Sequence, residues 1–187
     1  IIRNMVSIAD KLKSLGVQVR AEKIKAPQKK YPIETVINGQ FEASNLGESF
    51  VFSKPYSLTT KHGNFGINFS SSLTTLSRWA KYPEIALQNN TDLIFLDTET
   101  TGLAGGSGTY AFEIGVGKYE EDKFVMKQFF MRNPGEEIPM LLLLEKFVKS
   151  GKTIVSFNGK SFDIPLLNTR YTVNGLETPF TDMPHID

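Results

Sequence analysis

An α/β fold with a mixed sheet is predicted by three features of this 187-residue sequence. The run Leu93-Ile94-Phe95-Leu96 is continuously apolar, as in a strand buried on both faces. Two β-prone stretches follow, Tyr110 to Val116 and Phe124 to Met131, with Glu121-Asp122 near the turn between them. A helix-prone segment, Glu136 to Lys149, then separates them from a further strand, Thr153 to Phe157, and a second helix, Ser161 to Tyr171. The order β-β-β-α-β-α makes the first three strands antiparallel by their short connections. The strand after the long helix is then free to lie parallel to the first.

Each element has a local reason. The helix over 136–149 has acids at its start and Lys146 and Lys149 near its end, matching the helix dipole. Pro139 fits only its first turn, and Gly151 ends it. Pro165 is tolerable only in the first turn of the second helix. Nearer the N-terminus, Met5, Ile8, Ala9, Leu12 and Leu15 have amphipathic-helix spacing, and Gly16 follows where a helix would stop. Residues 21–32 are Lys-rich with two prolines and read as a linker. Asn38-Gly39, between Val36-Ile37 and Gln40-Phe41, predicts a tight hairpin turn, with the next strand at Ser49 to Phe52. Ser70, Ser71 and Ser72 offer N-caps for a helix through Leu73, Leu76, Trp79 and Ala80. Trp79 and Tyr82 are expected to pack this N-terminal region against the main domain. The organisation expected is an N-terminal α+β extension over 1–90 and a main domain over 91–187.

Composition is that of an ordinary globular protein, 40% apolar and 22% charged, with fourteen Phe for a core. There is no cysteine, which excludes disulfides, zinc–thiolate sites and cysteine nucleophiles. That fits a reducing cytosol, so a cytoplasmic location is expected. No signal peptide or membrane-length apolar run is visible, and no membrane partner is expected. The net charge of +1 hides an uneven distribution. Residues 1–30 carry eight Lys and Arg against Asp10 and Glu22, whereas residues 91–187 carry nine against fourteen acids. A basic arm beside an acidic module suits a protein that attracts polyanions and concentrates cations. The chain starts at Ile1 and stops at Asp187 within what reads as a strand, so both ends are expected to be cut.

Two segments carry chemistry. Asp97-Thr98-Glu99 ends the first buried strand, and side-chain alternation puts Asp97 and Glu99 on one face with Thr98 on the other. Two carboxylates about 7 Å apart along the backbone can converge on one cation. Without a cation, like charges beside an apolar strand cost stability. The second segment is Asn158-Gly159-Lys160-Ser161-Phe162-Asp163, which follows the later strand and opens a helix. Asp163 then lies in a first helical turn, facing the same end of the sheet as Asp97. An acid there is stabilising by itself; with Asp97 and Glu99 it completes a hard-oxygen donor set for magnesium or manganese rather than zinc. Such cations stabilise the charge that phosphodiester cleavage builds on the attacking and leaving oxygens. Lys160 and Arg170 are candidate phosphate contacts, although exposed surface charge is the commoner fate of such residues. Gly105-Gly106-Ser107-Gly108 lacks the Gly-Lys-Ser/Thr ending of a phosphate loop and reads as a flexible turn. His62 reads as a turn residue.

The stretch Phe95-Leu96-Asp97-Thr98-Glu99-Thr100-Thr101-Gly102-Leu103 resembles the first motif of the DEDD-type 3′–5′ exonuclease superfamily. Ser156-Phe157-Asn158 through Phe162-Asp163-Ile164-Pro165-Leu166-Leu167 resembles its second. Residues 101–112, together with Asn158 to Asp163, are most similar to the uncharacterised bacterial YprB-like family, and the segment around Tyr56 to Gly63 is similar to that family's N-terminal region. The resemblance covers roughly residues 50–187. It implies a ribonuclease-H-like sheet flanked by helices and a two-metal site for Mg2+ or Mn2+. It also implies that Asp97, Glu99 and Asp163 are metal-binding and catalytic, and that the substrate is the 3′ end of DNA or RNA. In that family pattern Leu103 wedges against the terminal base, a position equally explained by core packing. Thr100 and Thr101 approach the terminal nucleotide through backbone groups, with Gly102 beside them, and Asn158 steadies the second motif. The pattern also needs a third motif, a Tyr or His followed by a fourth Asp, and nothing after Asp163 fits it. Pro184-His185-Ile186-Asp187 reads as the strand leading toward that motif, so poor metal binding, and weak activity or none, are expected of this chain.

Three activities are compatible with these residues: a metal-dependent 3′–5′ exonuclease, a non-catalytic nucleic-acid-binding module using the basic arm, and a ribonuclease-H-like endonuclease. Intact Asp97, Glu99 and Asp163 favour the first, because a mere binder gains nothing from acids clustered near phosphate. No feature of the sequence points to a protein partner.

Overall fold

A computed structural model describes residues 31–68, 72–102 and 108–187. The expected helix over 5–15, the basic stretch 21–30, Ser70, Ser71, Leu103 and the glycine-rich 105–107 lie outside the described residues. Residues 33–187 form one compact unit. Its strands are β1 (Gln40–Ser44), β2 (Gly47–Ser57), β3 (Lys61–His62), β4 (Phe65–Gly66), β5 (Leu93–Thr100), β6 (Ala111–Tyr119), β7 (Lys123–Phe130), β8 (Thr153–Val155) and β9 (His185–Ile186). Its α-helices are α1 (Thr74–Ala80), α2 (Glu137–Val148) and α3 (Asp163–Val173).

Seven strands form one sheet in the order β1-β2-β7-β6-β5-β8-β9, and β3 with β4 forms a small hairpin. From β1 to β5 every neighbour is antiparallel; β8 runs parallel to β5, and β9 parallel to β8. The sheet is therefore mixed, as the β-β-β-α-β-α order predicts. Strands β1 and β2, from the segment read as an N-terminal extension, are hydrogen-bonded into this same sheet through β7. Pro55 sits in β2 opposite Val125 of β7, beyond the last residue that β1 pairs with. Its missing N–H therefore costs no ladder bond on that side.

Alternation along β5 divides the two layers. Ile94 and Leu96 face α2 and α3 and join Ile114, Phe129, Leu144 and Leu167 in the main core. Leu93 points the other way, into a smaller cluster with Leu73, Ile85 and Ile186. Inside the main core, Tyr171 donates its hydroxyl to the carbonyl of Leu141 at 2.7 Å, and burial pushes its pKa well above the ordinary value. The two helices are also joined by a buried ion pair. Arg170 Nε and Nη2 donate to the two oxygens of Glu137 at 2.5 and 2.6 Å, and Asn174 adds a third donor at 2.8 Å. Among the described residues no buried side-chain nitrogen or oxygen lacks a partner, and no helix is long and apolar enough to cross a membrane.

Several local expectations are corrected. The tight turn between paired strands is Asn45-Leu46, not Asn38-Gly39. Val36 and Ile37 both donate their amides to the carbonyl of Ile33 at 2.9 Å, so the residues before Asn38 form a helical turn instead of a strand. Gly39 is needed for close approach: a Cβ there would lie 2.7 Å from the Phe50 ring. Arg170 is not a surface phosphate contact, being 3% exposed and engaged by Glu137. Trp79 does not pack against the domain, since it is 66% exposed; Tyr82 does pack, against the smaller cluster. Ser72 lies one residue before the cap position, where its hydroxyl accepts the Thr74 amide at 3.2 Å. His62 is the last residue of β3, just before the turn. The strand expected to reach Phe157 ends at Val155, and Asn158 adopts a left-handed φ of 60°.

Replacing Glu137 with Ala removes the carboxylate from a buried guanidinium and is expected to cost about 3–5 kcal/mol in urea unfolding. Replacing Glu137 and Arg170 together with Met should recover most of that loss. A second expectation concerns Asp92, which accepts the Asn89 amide at 2.9 Å and lies 2.8 Å from the Lys152 ammonium. Burial alone would raise its pKa, but the bonds from Asn89 and Lys152 outweigh burial and lower it below 3.8. A group that binds its proton more weakly folded than unfolded stabilises fully at neutral pH and loses that contribution as pH falls through the lowered value. Asp92→Asn should therefore cost about 1 kcal/mol at neutral pH, and denaturant titration should show the deficit closing below pH 3.8.

Candidate nuclease site

Strand β5 changes character midway. Its first four residues are apolar, and its last four are Asp97, Thr98, Glu99 and Thr100. Asp97 and Glu99 are exposed on the sheet face away from α2 and α3, as alternation predicts. They stand at one end of a cleft of about 570 Å³ whose apolar wall includes Phe95, Phe124, Met126 and Val155. Phe157, 92% exposed, also lines this cleft.

The register of β5 on β6 brings a third acid alongside. Glu113 is the direct cross-strand partner of Glu99, and the pairing shifts between Glu99 and Thr100. The Gln128 amide of β7 donates to the Glu113 carboxylate. Burial raises the pKa of Glu113, and the charges of Glu99 and Asp97 raise it further, against the opposing bond from Gln128. Sequence reasoning missed both residues. The alternation of Glu113-Ile114-Gly115-Val116, with Ile114 and Val116 in the main core, carries a signal for the face, but only the strand register makes Glu113 the neighbour of Glu99.

Asp163 opens α3 and is 4% exposed. It meets β5 through Thr98, whose hydroxyl donates to its carboxylate. Thr98 points away from the Asp97 and Glu99 face, so Asp163 approaches the acidic strand end from the helix side. Burial raises its pKa, the Thr98 bond lowers it, and the charge of Asp97 raises it. Asp97 and Glu99 are thus brought onto one face, while Asp163 is close enough to feel Asp97 but stands behind the strand. Among the described residues no group of three or more His, Asp or Glu is placed so that it could hold a metal ion, so Asp97, Glu99 and Asp163 do not form a three-acid site in this structure.

The remaining candidates flank this centre. Thr100 donates its hydroxyl to the Gly102 carbonyl at 3.0 Å, and Thr101 exchanges bonds with the Tyr110 backbone at 2.9 and 3.0 Å. Asn158 is exposed in the loop before α3. Lys160 is also exposed, with its ammonium 5.5 Å from the centre of the Tyr82 ring.

Residues 94–187, from β5 through β9 and so including Asp163 at the start of α3, match the RNase_H superfamily. The chain belongs to that superfamily. RNase_H superfamily membership points to nuclease chemistry on nucleic acid, a hydrolase class that generally uses divalent metals. The chain is also 34% identical, over 123 residues, to the uncharacterized protein YprB of Bacillus subtilis (strain 168). That match covers 63% of this chain and 29% of the relative, so the chain spans less than a third of the relative's length.

Glu113→Gln keeps a partner for Gln128 and removes one of the clustered charges. It is expected to raise Tm at neutral pH by about 2 °C in the metal-free protein. A fall in Tm would show that the carboxylates do not repel one another there.

Proposed function

We propose that the chain carries the site of a metal-dependent 3′–5′ exonuclease that hydrolyses phosphodiester bonds at the ends of DNA or RNA. The observation that carries the reading is the pair Asp97 and Glu99, held on one exposed face at the end of a central strand, with Asp163 approaching the same strand end from a helix start. A cytoplasmic location goes with it, since a cysteine-free chain suits a reducing compartment.

The donor chemistry fits hard divalent cations. All three side chains offer carboxylate oxygens, which select magnesium or manganese over zinc. The exposed pair is open and not a cage, as suits magnesium, which keeps several waters and relies on one or two carboxylates plus the substrate's phosphates. When bound, such cations neutralise charge on the attacking and leaving oxygens. In this reading Asp97 and Glu99 hold the cations on the cleft face, and Asp163, fixed by Thr98, supports them from behind the strand. The backbone of Thr100, Thr101 and Gly102 lies along the terminal nucleotide, with Leu103 against its base. Asn158 steadies the loop before α3, and Lys160 meets a phosphate.

With manganese, the full-length protein is expected to shorten a 5′-labelled single-stranded oligonucleotide stepwise from its 3′ end and to leave closed circles intact. Asp97→Ala should lower the rate by roughly a hundredfold, about 3 kcal/mol of transition-state stabilisation, with its unfolding transition retained. Cutting of circles would turn the reading toward an endonuclease. Binding without cutting would turn it toward a nucleic-acid-binding module.

A further inference from the structure

One carboxylate outside the acidic strand end holds the loop that leads to Asp163. Asp187 Oδ1 accepts the hydroxyl of Ser156 at 2.9 Å and the amide of Gly159 at 2.9 Å, and its Oδ2 accepts the amide of Lys160 at 3.3 Å. These donors come from both sides of the turn made by Asn158, with its left-handed φ of 60°. The pairing of β8 with β9, Ile154 to His185 and Val155 to Ile186, delivers Asp187 to that turn.

Gly159 carries the constraint onward. Its amide is shared between Asp187 Oδ1 at 2.9 Å and Ser156 Oγ at 3.2 Å, and its carbonyl accepts the amide of Ile164, in the first turn of α3, at 2.9 Å. No side chain fits at this position: a Cβ would lie 2.5 Å from Ser156 Oγ and 3.1 Å from Asp163 Oδ2. One residue, Gly159, therefore joins the carboxylate of Asp187 to the helix turn that holds Asp163 against Thr98.

Proton accounting closes the network. Ser156 has one hydroxyl proton, and it goes to Asp187. The 2.6 Å contact between Ser156 Oγ and His185 Nε2 then requires the ring nitrogen to donate. His185 is buried, and burial lowers its pKa; the contact to Ser156 places a proton on Nε2.

We infer that Asp187 is a positioning residue, pinning the Asn158–Lys160 loop and thereby the helix start that presents Asp163. The role at the site rests on the exonuclease reading; the pinning itself does not. The experiment compares Asp187→Ala and Asp187→Asn, in the 187-residue chain for amide exchange and in the full-length protein for cleavage. Asn keeps Oδ1 for Ser156 and Gly159 and loses only the longer bond to Lys160, so it should rescue.

In Asp187→Ala, amide hydrogen exchange at Gly159, Lys160 and Ile164 should rise about tenfold relative to β6 amides, as for loss of a bond to a charged acceptor. Asp187→Asn should stay near wild type at Gly159 and Ile164, and the His185 nitrogen shifts should report the Nε2-protonated ring. Unchanged exchange in the Ala variant, or equal rises in both variants, overturns the pinning. At the site, Asp187→Ala should raise the manganese concentration for half-maximal cleavage about tenfold, with Asn near wild type. Faster exchange with an unchanged manganese midpoint overturns the positioning role. If the full-length wild-type protein does not cleave at all, the exonuclease reading fails, and the exchange measurements still decide the pinning.

Discussion

Repulsion among carboxylates at the end of β5 is the constraint around which the rest of this structure is arranged. Asp97 and Glu99 share a face, Glu113 lies directly across from Glu99, and Asp163 is close enough for Asp97 to raise its pKa. Like charges in a partly desolvated setting cost free energy. They are retained here by a strand whose apolar half is locked between two layers, with Ile94 in one core and Leu93 in the other. Each of the two half-buried or buried acids also has a neutral donor: Gln128 for Glu113 and Thr98 for Asp163. A neutral donor satisfies the carboxylate without cancelling its charge, which preserves a negative centre at the cleft.

The arginine elsewhere in the domain shows the opposite arrangement. Arg170 meets Glu137 in a two-pronged pair in the interior, so its charge is neutralised between helices. Both kinds of carboxylate occur in one RNase_H superfamily domain, and the difference lies in what faces them. A cation partner makes a helix-to-helix staple, and neutral partners leave the negative charge uncancelled.

Much of the architecture was legible in the sequence because it rests on local pattern. The continuous apolar run at Leu93–Leu96, the β-prone stretches after it and the helix dipole of residues 137–148 each reflect physics within a dozen residues. The mixed sheet followed from the length of the connections. What local pattern misjudged involved contacts between distant segments. Asn38-Gly39 has the composition of a tight turn, yet Gly39 is there because the Phe50 ring passes over it. Arg170 has the look of a surface cation, yet Glu137, thirty-three residues earlier, draws it inside. Trp79 has the look of a packing residue, yet the helix that carries it turns it outward.

The same division holds at the candidate site. Alternation along a strand alone determined that Asp97 and Glu99 share a face and that Thr98 opposes them, because the period of two is a property of the extended backbone. Which face is cleft and which is core, that Glu113 stands beside Glu99, that Asp163 approaches through Thr98, and that Asp187 closes on Gly159 were decided only by the tertiary structure. Those relations depend on strand register and on where parallel strands end, and both are set by pairing between residues far apart in the chain.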